Sequence, residues 1–226
     1  MPASPSRLPT GLLAAALAVL PAIASATVVN TRPELEALFA SYTLEDFETL
    51  GNSSQTISGD TLTNGADWGG YGAGLVAPGV EYSAPGATLH WNVDGFYGLV
   101  TRTLGDAHNG ATWIVYTQSV TAMGFDLHGY DGYPNDAVIS VYDLADDLVF
   151  SGSVTGGVGA TNTFFGYEHA AGIGRVTVDA QGSNYMMIDN HAYGVTSAAV
   201  PAPAAAPLLV AALGGLAAAA RRRRRG

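Results

Sequence analysis

The 226-residue chain contains neither cysteine nor lysine, and these absences exclude several kinds of chemistry. Without cysteine there is no disulfide, no thiolate nucleophile and no cysteine-bound zinc. Without lysine there is no Schiff-base amine and no phosphate-binding P-loop. The folded state must therefore be stabilised by burial of apolar side chains, for which a chain of this length is sufficient.

Basic charge is also scarce. Nineteen acidic residues face nine basic ones, and six of the basic residues lie near the termini, at Arg7 and at 221–225. The stretch between them has three arginines against all nineteen acids, a formal charge of −16. Such a surface repels nucleic acid and anionic lipid, so neither is a suitable partner, whereas divalent cations are.

The N-terminus has the three parts of a secretory signal peptide. Arg7 supplies a positive charge, an apolar stretch covers 11–23, and Ala24-Ser25-Ala26 has small residues at both outer positions. This pattern is typical of a cleaved export signal. We therefore predict a signal peptide over 1–26 and a mature chain that begins at Thr27.

The C-terminus predicts a membrane anchor. An apolar stretch of 17 residues, 204–220, is followed by five arginines at 221–225. As a helix it is about 26 Å long at roughly 1.5 Å per residue, which is near the short limit for a bilayer core of about 30 Å. The positive charge of the arginines favours an orientation in which this end of the segment is on the cytoplasmic side of the membrane. We predict a linker and sorting segment over 197–226, with a transmembrane helix at 204–220.

The same segment resembles a known sorting signal. Val200-Pro201-Ala202-Pro203, the apolar stretch and the terminal arginines are similar to the tripartite PEP-CTERM signal, in its VPLPA-CTERM variant, with Ala202 in place of the usual leucine. The resemblance implies recognition by an exosortase-type membrane transpeptidase, transient insertion in the inner membrane, removal of the tail, and delivery to the cell surface or extracellular matrix. The alternative is an anchor that is never cleaved. The residues implied in sorting are Val200, Pro201, Pro203, Arg221, Arg222, Arg223, Arg224 and Arg225.

Between the two signals, 27–196 is predicted to form a single all-β domain. Thr31 and Glu34 have capping-box spacing, which predicts one short helix over 33–40. After it, short alternating segments lie between turns rich in Gly, Asn and Pro, a pattern typical of an antiparallel β-sandwich. No repeat of 20–50 residues is present, which argues against a propeller or solenoid.

This middle region also resembles a group of domains. Asp46-Phe47-Glu48, the segment 120–127 and Met187-Ile188-Asp189-Asn190 are similar to β-sandwich domains found upstream of PEP-CTERM signals, which in turn look like carbohydrate-binding-module and lectin jelly rolls. The resemblance implies a jelly-roll-like sandwich with a structural Ca²⁺ between Glu48 and Asp189, and with Asp46 and Asn190 as further ligands. Ca²⁺ takes six to eight oxygen ligands. The alternative is that these side chains are solvated strand edges.

Two loops place aromatic residues beside carboxylates. Sugar rings stack on aromatic faces, and carboxylates accept hydrogen bonds from hydroxyls, so such loops are candidates for binding extracellular polysaccharide. The alternative is that these aromatics cover the ends of the sandwich. The predicted glycan-contact residues are Trp68, Tyr71, Tyr130 and Tyr133.

Nothing in the sequence singles out an active site. There is no Gly-x-Ser-x-Gly elbow, no His-Glu-x-x-His motif, and no ligand spacing among the five histidines. A glycosidase needs one defined pair of carboxylates, and nineteen acids offer no distinguished pair. We predict an exported, non-enzymatic surface or matrix protein. The alternatives are a secreted carbohydrate-binding module and a polysaccharide-active enzyme.

Overall fold

The computed structural model describes residues 26–50, 57–59, 61–68, 70–92, 101–106, 110–129, 136–158, 161–181 and 186–197. The signal peptide predicted over 1–26 falls outside these residues except for Ala26, and the sorting residues 200–226 fall outside them entirely. Within the described ranges, every helix is too short or too polar to cross a bilayer.

The described residues form two sheets and one α-helix, α1, at Arg32–Leu38, together with a short 3-10 helix at Glu48–Leu50. The strands are β1 (Ala26–Val29), β2 (Phe39–Glu45), β3 (Ile57–Gly59), β4 (Thr61–Thr63), β5 (Val80–Ser83), β6 (Leu89–Asn92), β7 (Thr103–Asp106), β8 (Ala111–Tyr116), β9 (Ala122–Gly129), β10 (Asp136–Tyr142), β11 (Leu148–Thr155), β12 (Gly157–Val158), β13 (Thr163–His169), β14 (Arg175–Ala180) and β15 (Met186–Thr196).

Helix α1 begins where the capping pattern predicts. The Thr31 hydroxyl accepts a hydrogen bond from the Glu34 backbone N–H at 3.4 Å, and Pro33 lies in the first turn, where no intrahelical donor is needed. The fully buried Leu35 packs the helix onto the outer face of the larger sheet. This confirms the predicted helix, which ends two residues earlier than predicted.

The two sheets enclose the main core. In the part of the chain described, the larger has nine strands, in the order β1-β13-β9-β15-β7-β6-β3, with β2 beside β15 and β12 beside β9. The smaller has six, in the order β11-β10-β14-β8-β5-β4. Neighbours are antiparallel except β12 with β9. Leu89, Trp91, Val176 and Val178 are buried, as their alternation predicts, and the antiparallel sandwich is confirmed.

The last strand departs from the sequence prediction. The sequence predicts a last strand over 185–190, but β15 continues to Thr196, because a bulge lies between Asp189 and Ala192 in its pairing with β9. Asn190 has φ +48°, a left-handed conformation that Asn tolerates better than most residues. The extra residue reverses the alternation of the strand. Asp189 therefore lies on the outer face of the sheet, whereas His191 points into the core.

The N-terminal strands also differ from expectation. The sequence predicts a first strand over 43–49, but the structure has β1 before the helix and ends β2 at Glu45. Phe47, with φ +55°, turns the backbone out of the strand and places its fully buried ring against Tyr82 and Trp91. Glu48 consequently lies in a 3-10 turn and not on a strand.

Candidate functional site

The bulge assembles a polar cluster on the outer face of the larger sheet. Asp126 on β9 and Asp189 on β15 lie directly opposite each other, 5% and 1% exposed. Opposed carboxylates repel each other. The Asn190 side-chain amide donates to Asp126 Oδ2 at 3.0 Å and to Asp189 Oδ2 at 3.1 Å, while its backbone N–H donates to Asp189 Oδ1 at 2.6 Å. We call Glu48, Thr101, Asp126, Asp189 and Asn190 the outer cluster.

Two arginines neutralise part of this cluster. Arg32, the first residue of α1, places Nη2 3.2 Å from Asp126 Oδ2 and donates to the Asn190 carbonyl at 2.7 Å. Arg102 Nη1 lies 3.4 Å from Glu48 Oε2 and donates to the Glu48 carbonyl at 2.9 Å. Two of the three arginines between the terminal signals are thus committed to the outer cluster.

One hydroxyl in the cluster faces two acceptors. Thr101 Oγ1 lies 3.1 Å from Glu48 Oε1 and 3.0 Å from Asp189 Oδ2. A hydroxyl has one proton and can donate to only one of them at a time. The second short contact brings two oxygens together without a proton of its own, and a proton on a carboxyl group or a cation would stabilise it. The Thr101 hydroxyl is the point at which the cluster is incompletely neutralised.

Burial favours the proton. Desolvation raises the pKa of Asp189 to about 7, and the charges of Asp126 and Glu48 add to this, against the hydrogen bonds from Thr101 and Asn190. His128 Nε2 lies 4.0 Å from Asp189 Oδ2, but burial lowers the pKa of this histidine. The imidazole therefore contributes little positive charge at neutral pH.

The predicted calcium ligands are brought together in part. Glu48 and Asp189 converge on Thr101, and Asn190 contacts Asp189. Asp46 stays apart, because its exposed carboxylate accepts from the Glu48 backbone N–H at 3.1 Å. Within the described ranges, no set of three or more acidic, histidine or cysteine side chains is spaced for a metal. Two carboxylates and a hydroxyl fit part of a Ca²⁺ shell, whose remaining ligands would be carbonyls or water.

The inner face holds a contrasting, neutral cluster. His191 is fully buried, with Nδ1 2.7 Å from the Tyr82 hydroxyl and Nε2 2.9 Å from the Tyr116 hydroxyl. Burial lowers the pKa of His191 to about 3, and the charge of Arg32 acts in the same direction. Burial also raises the pKa values of both tyrosines well above their usual range. We call these three residues the inner cluster; it is uncharged at neutral pH and joins the two sheets.

Glu45 is another buried acid, and its hydrogen bonds stabilise the fold. Glu45, 3% exposed, accepts from the Phe47 N–H at 2.8 Å and from the Ala77 N–H at 2.6 Å. It thereby joins the end of β2 to the long loop at 64–79. Desolvation raises the pKa of Glu45, although the two backbone hydrogen bonds lower it in part.

The predicted glycan-contact residues are found in different environments. Trp68 is 4% exposed and its ring centroid lies 6.2 Å from that of Trp91, so it covers the core as the alternative interpretation holds. Tyr71 is 45% exposed. Tyr130 and Tyr133 lie outside the described residues. Among the four, Tyr71 is the described residue whose ring is open to a ligand.

Sequence reasoning missed an aromatic surface on the smaller sheet. The Arg175 guanidinium carbon lies 3.7 Å from the Tyr142 ring centroid and 4.4 Å from that of Trp113. Asp146 accepts from Arg175 at 2.7 and 3.0 Å. These residues lie on the solvent face, because the alternate positions of the same strands are buried. The alternation of β8 around the buried Ile114 was the available signal for Trp113.

Comparisons with known proteins add little to this geometry. No family model and no curated protein matches the chain. Among solved structures, a mutant of a family 29 carbohydrate-binding module matches at 18% identity, covering 70% of this chain and 94% of that chain, with a TM-score of 0.36. A cleaved adhesin domain of Lys-gingipain matches at 12% identity, covering 69% and 99%, with a TM-score of 0.34. Likeness at this level establishes neither a shared fold nor a shared ligand.

Proposed function

We propose that this chain is an exported, non-enzymatic protein of the cell surface or extracellular matrix, held at the membrane by 204–220 and released by an exosortase-type transpeptidase. The main structural support is the use of the buried polar side chains. Those of Glu45, Asp126, Asp189 and His191 are bonded to backbone N–H groups, to the Asn190 amide, to an arginine or to hydroxyls. Groups arranged in this way stabilise a scaffold.

The opposed acids Asp126 and Asp189 do not suit glycoside hydrolysis. A glycosidase holds two carboxyl groups on either side of a substrate, about 5.5 Å or 6.5–9.5 Å apart. Here the two acids are 5% and 1% exposed and are bridged by the Asn190 amide. A sugar could reach them only by displacing Asn190 and Arg32. This favours a binding or structural role over catalysis.

A bound Ca²⁺ is part of the proposal. Glu48, Asp189 and Thr101 would hold it, and it would supply positive charge where one hydroxyl proton faces two carboxylates. The role would be structural, because the ion would join the 3-10 turn after β2 to the last strand.

The sorting step is tested in the native host. We expect replacement of Arg221–Arg225 by glutamine to retain the protein in the inner membrane fraction or to stop its processing, because the arginines set the orientation of the segment. Arg175→Gln is the matched control, since it removes an arginine of the sandwich and should leave delivery unchanged. Unchanged surface delivery of the Arg221–Arg225 variant would contradict the proposed route.

Carbohydrate binding is the second candidate, and it is favoured by the half-buried stack of Trp113, Arg175 and Tyr142 on the outer face of the smaller sheet. Flat aromatic faces beside a carboxylate and a guanidinium suit a sugar chain. Affinity electrophoresis in gels containing hydroxyethylcellulose, xylan or alginate tests this. We expect Trp113→Ala to abolish retardation, and Tyr42→Ala, an exposed aromatic of the other sheet, to leave it unchanged. Absence of retardation by all three polymers, or equal retardation of both variants, would count against binding at this stack.

A further inference from the structure

Both termini of the described domain lie at one end of the sandwich. Ala26, the first described residue, pairs with His169, whose N–H donates to the Thr121 carbonyl at 2.8 Å. Thr121 in turn bonds Thr196 through its hydroxyl and through the Thr196 N–H. The predicted signal peptide and the predicted membrane segment therefore leave the domain from the same place.

Further loops share this end, which we call the terminal end. The loop at 170–174 reaches the loop at 117–121 through the Ile173 N–H and the Val120 carbonyl at 2.7 Å. It also reaches the β10–β11 hairpin, because the Gly174 N–H donates to the Tyr142 carbonyl at 3.0 Å. The terminal end thus combines two chain termini, two loops and one hairpin.

Exposed apolar side chains collect around the terminal end. Leu144 at the hairpin tip is 66% exposed and Leu148, just after it, is 56% exposed. Val195 and Val28, close to the two termini, are 39% and 38% exposed. A strongly acidic domain gains no solubility from such residues. Apolar side chains at loop tips are suited to the interfacial region of a bilayer.

The connection to the membrane is short. Six residues, 198–203, separate Ser197 from the apolar segment 204–220. Even fully extended they span only about 20 Å at roughly 3.3 Å per residue. Before processing, the terminal end therefore cannot move far from the lipid headgroups. The opposite end of the sandwich is farther from the lipid by about the length of a seven-residue strand.

We infer that the terminal end is the membrane-facing surface of the sandwich, and that Leu144 and Leu148 contact uncharged lipid headgroups while the chain is anchored. This inference depends on the membrane segment in the proposed function. Asp143, Asp146 and Asp147 surround the hairpin tip and disfavour anionic lipid. The contact orients the domain and presents both predicted cleavage sites on the membrane side.

The absence of cysteine makes a direct test possible. The full chain is reconstituted into phosphatidylcholine vesicles that contain spin-labelled lipid. It carries a single fluorophore, either at Ala145→Cys in the hairpin or at Asn162→Cys at the opposite end. The quenching of the fluorophore by the spin label is measured. Both sites are exposed. We expect about twofold or greater quenching at Ala145→Cys relative to Asn162→Cys, with a decrease when Leu144 and Leu148 are changed to serine or when anionic lipid is added.

The outcomes separate this inference from the anchor itself. Full chain that fails to float with the vesicles overturns both the membrane segment and the inference. Full chain that floats, but with equal quenching at the two labels or stronger quenching at Asn162→Cys, overturns the inference alone. Quenching at Ala145→Cys that is unaffected by the leucine changes overturns the lipid contact of Leu144 and Leu148.

Discussion

Asp189 and His191 are two residues apart on the same strand, yet the fold treats their charges in opposite ways. Asp189 belongs to the outer cluster, where arginines, amides and a hydroxyl surround several carboxylates. His191 belongs to the inner cluster, between two tyrosine hydroxyls. Burial is almost complete at both, 1% and 0% exposed. The difference shows that one bulge residue, Asn190, separates a charged surface cluster from a neutral core cluster.

The two clusters also contribute to stability in different ways. The inner cluster is self-sufficient, because a neutral imidazole offers one donor and one acceptor, which match two hydroxyls. The outer cluster is not, since Thr101 has one proton for two carboxylates. We expect removal of an inner group to cost stability under all conditions. Changes in the outer cluster should depend on pH and on metal.

The largest effect is expected at the inner cluster. His191→Ala leaves the Tyr82 and Tyr116 hydroxyls without their buried partner and opens a cavity, so the free energy of unfolding should fall by about 3–5 kcal/mol. Denaturant titration of the exported domain, 27–199, measures this. Asp189→Asn, which keeps the shape of the outer side chain, is the matched control and should cost much less. Equal losses for both variants would remove the distinction between the clusters.

Calcium should act on the outer cluster alone. If Ca²⁺ binds only the folded domain, it stabilises by about 2.7 kcal/mol at a hundredfold excess over Kd. Melting of 27–199 in millimolar Ca²⁺ should therefore occur at a higher temperature than in chelator. We expect Asp189→Ala to abolish most of the shift and Asp179→Ala, at an exposed acid of the smaller sheet, to keep it. Equal melting temperatures after confirmed metal removal would show that a proton or the arginines complete the cluster.

The bulge itself can be tested at Asn190. Asn190→Gly can still adopt φ +48° and loses only the hydrogen bonds of the side-chain amide. Asn190→Val loses the same hydrogen bonds and also strains the backbone. The valine variant should be less stable than the glycine variant by about 1–3 kcal/mol. Thermal melts of the two variants give the difference. A valine variant as stable as the glycine variant would indicate that the left-handed residue is not needed to reverse the strand.

The last effect is a dependence of stability on pH. The pKa of His191 is about 3 when folded, below its usual value of about 6.5, so the unfolded chain binds the additional proton. This contribution is fully present above about pH 6.5 and is lost as the pH falls toward 3, by about 1.4 kcal/mol per unit. Asp189 has a raised pKa of about 7 when folded, so its contribution to stability falls as the pH rises from about 4 to about 7, which is the opposite slope.

The His191 contribution is therefore isolated as the difference between the wild type and His191→Gln. The glutamine variant should lose stability less steeply between pH 6 and pH 4. Parallel curves for the two proteins would mean that His191 titrates normally in the folded state.

The sequence predicted the sandwich well because strand alternation and a capping box are local signals. Thr31 and Glu34 located the helix, and the alternation of Leu89 and Trp91 located the core face. The proximity of Glu48 and Asp189, 141 positions apart, was implied by the resemblance to jelly-roll domains and not by any pattern in the sequence itself. Thr101, Arg102 and Arg32 were missed, because no pattern along the chain reports which strands become neighbours. His191 was missed because a bulge reverses the alternation without any marker beyond a single asparagine.

The most direct test of the whole account is the intact mass of the protein recovered from the surface or medium of its native host. We expect a chain that begins at Thr27 and lacks residues 221–225, because both terminal signals should have been removed. A recovered chain that still ends in the arginine cluster, in cells with an active sorting transpeptidase, would contradict it and leave a permanently anchored protein.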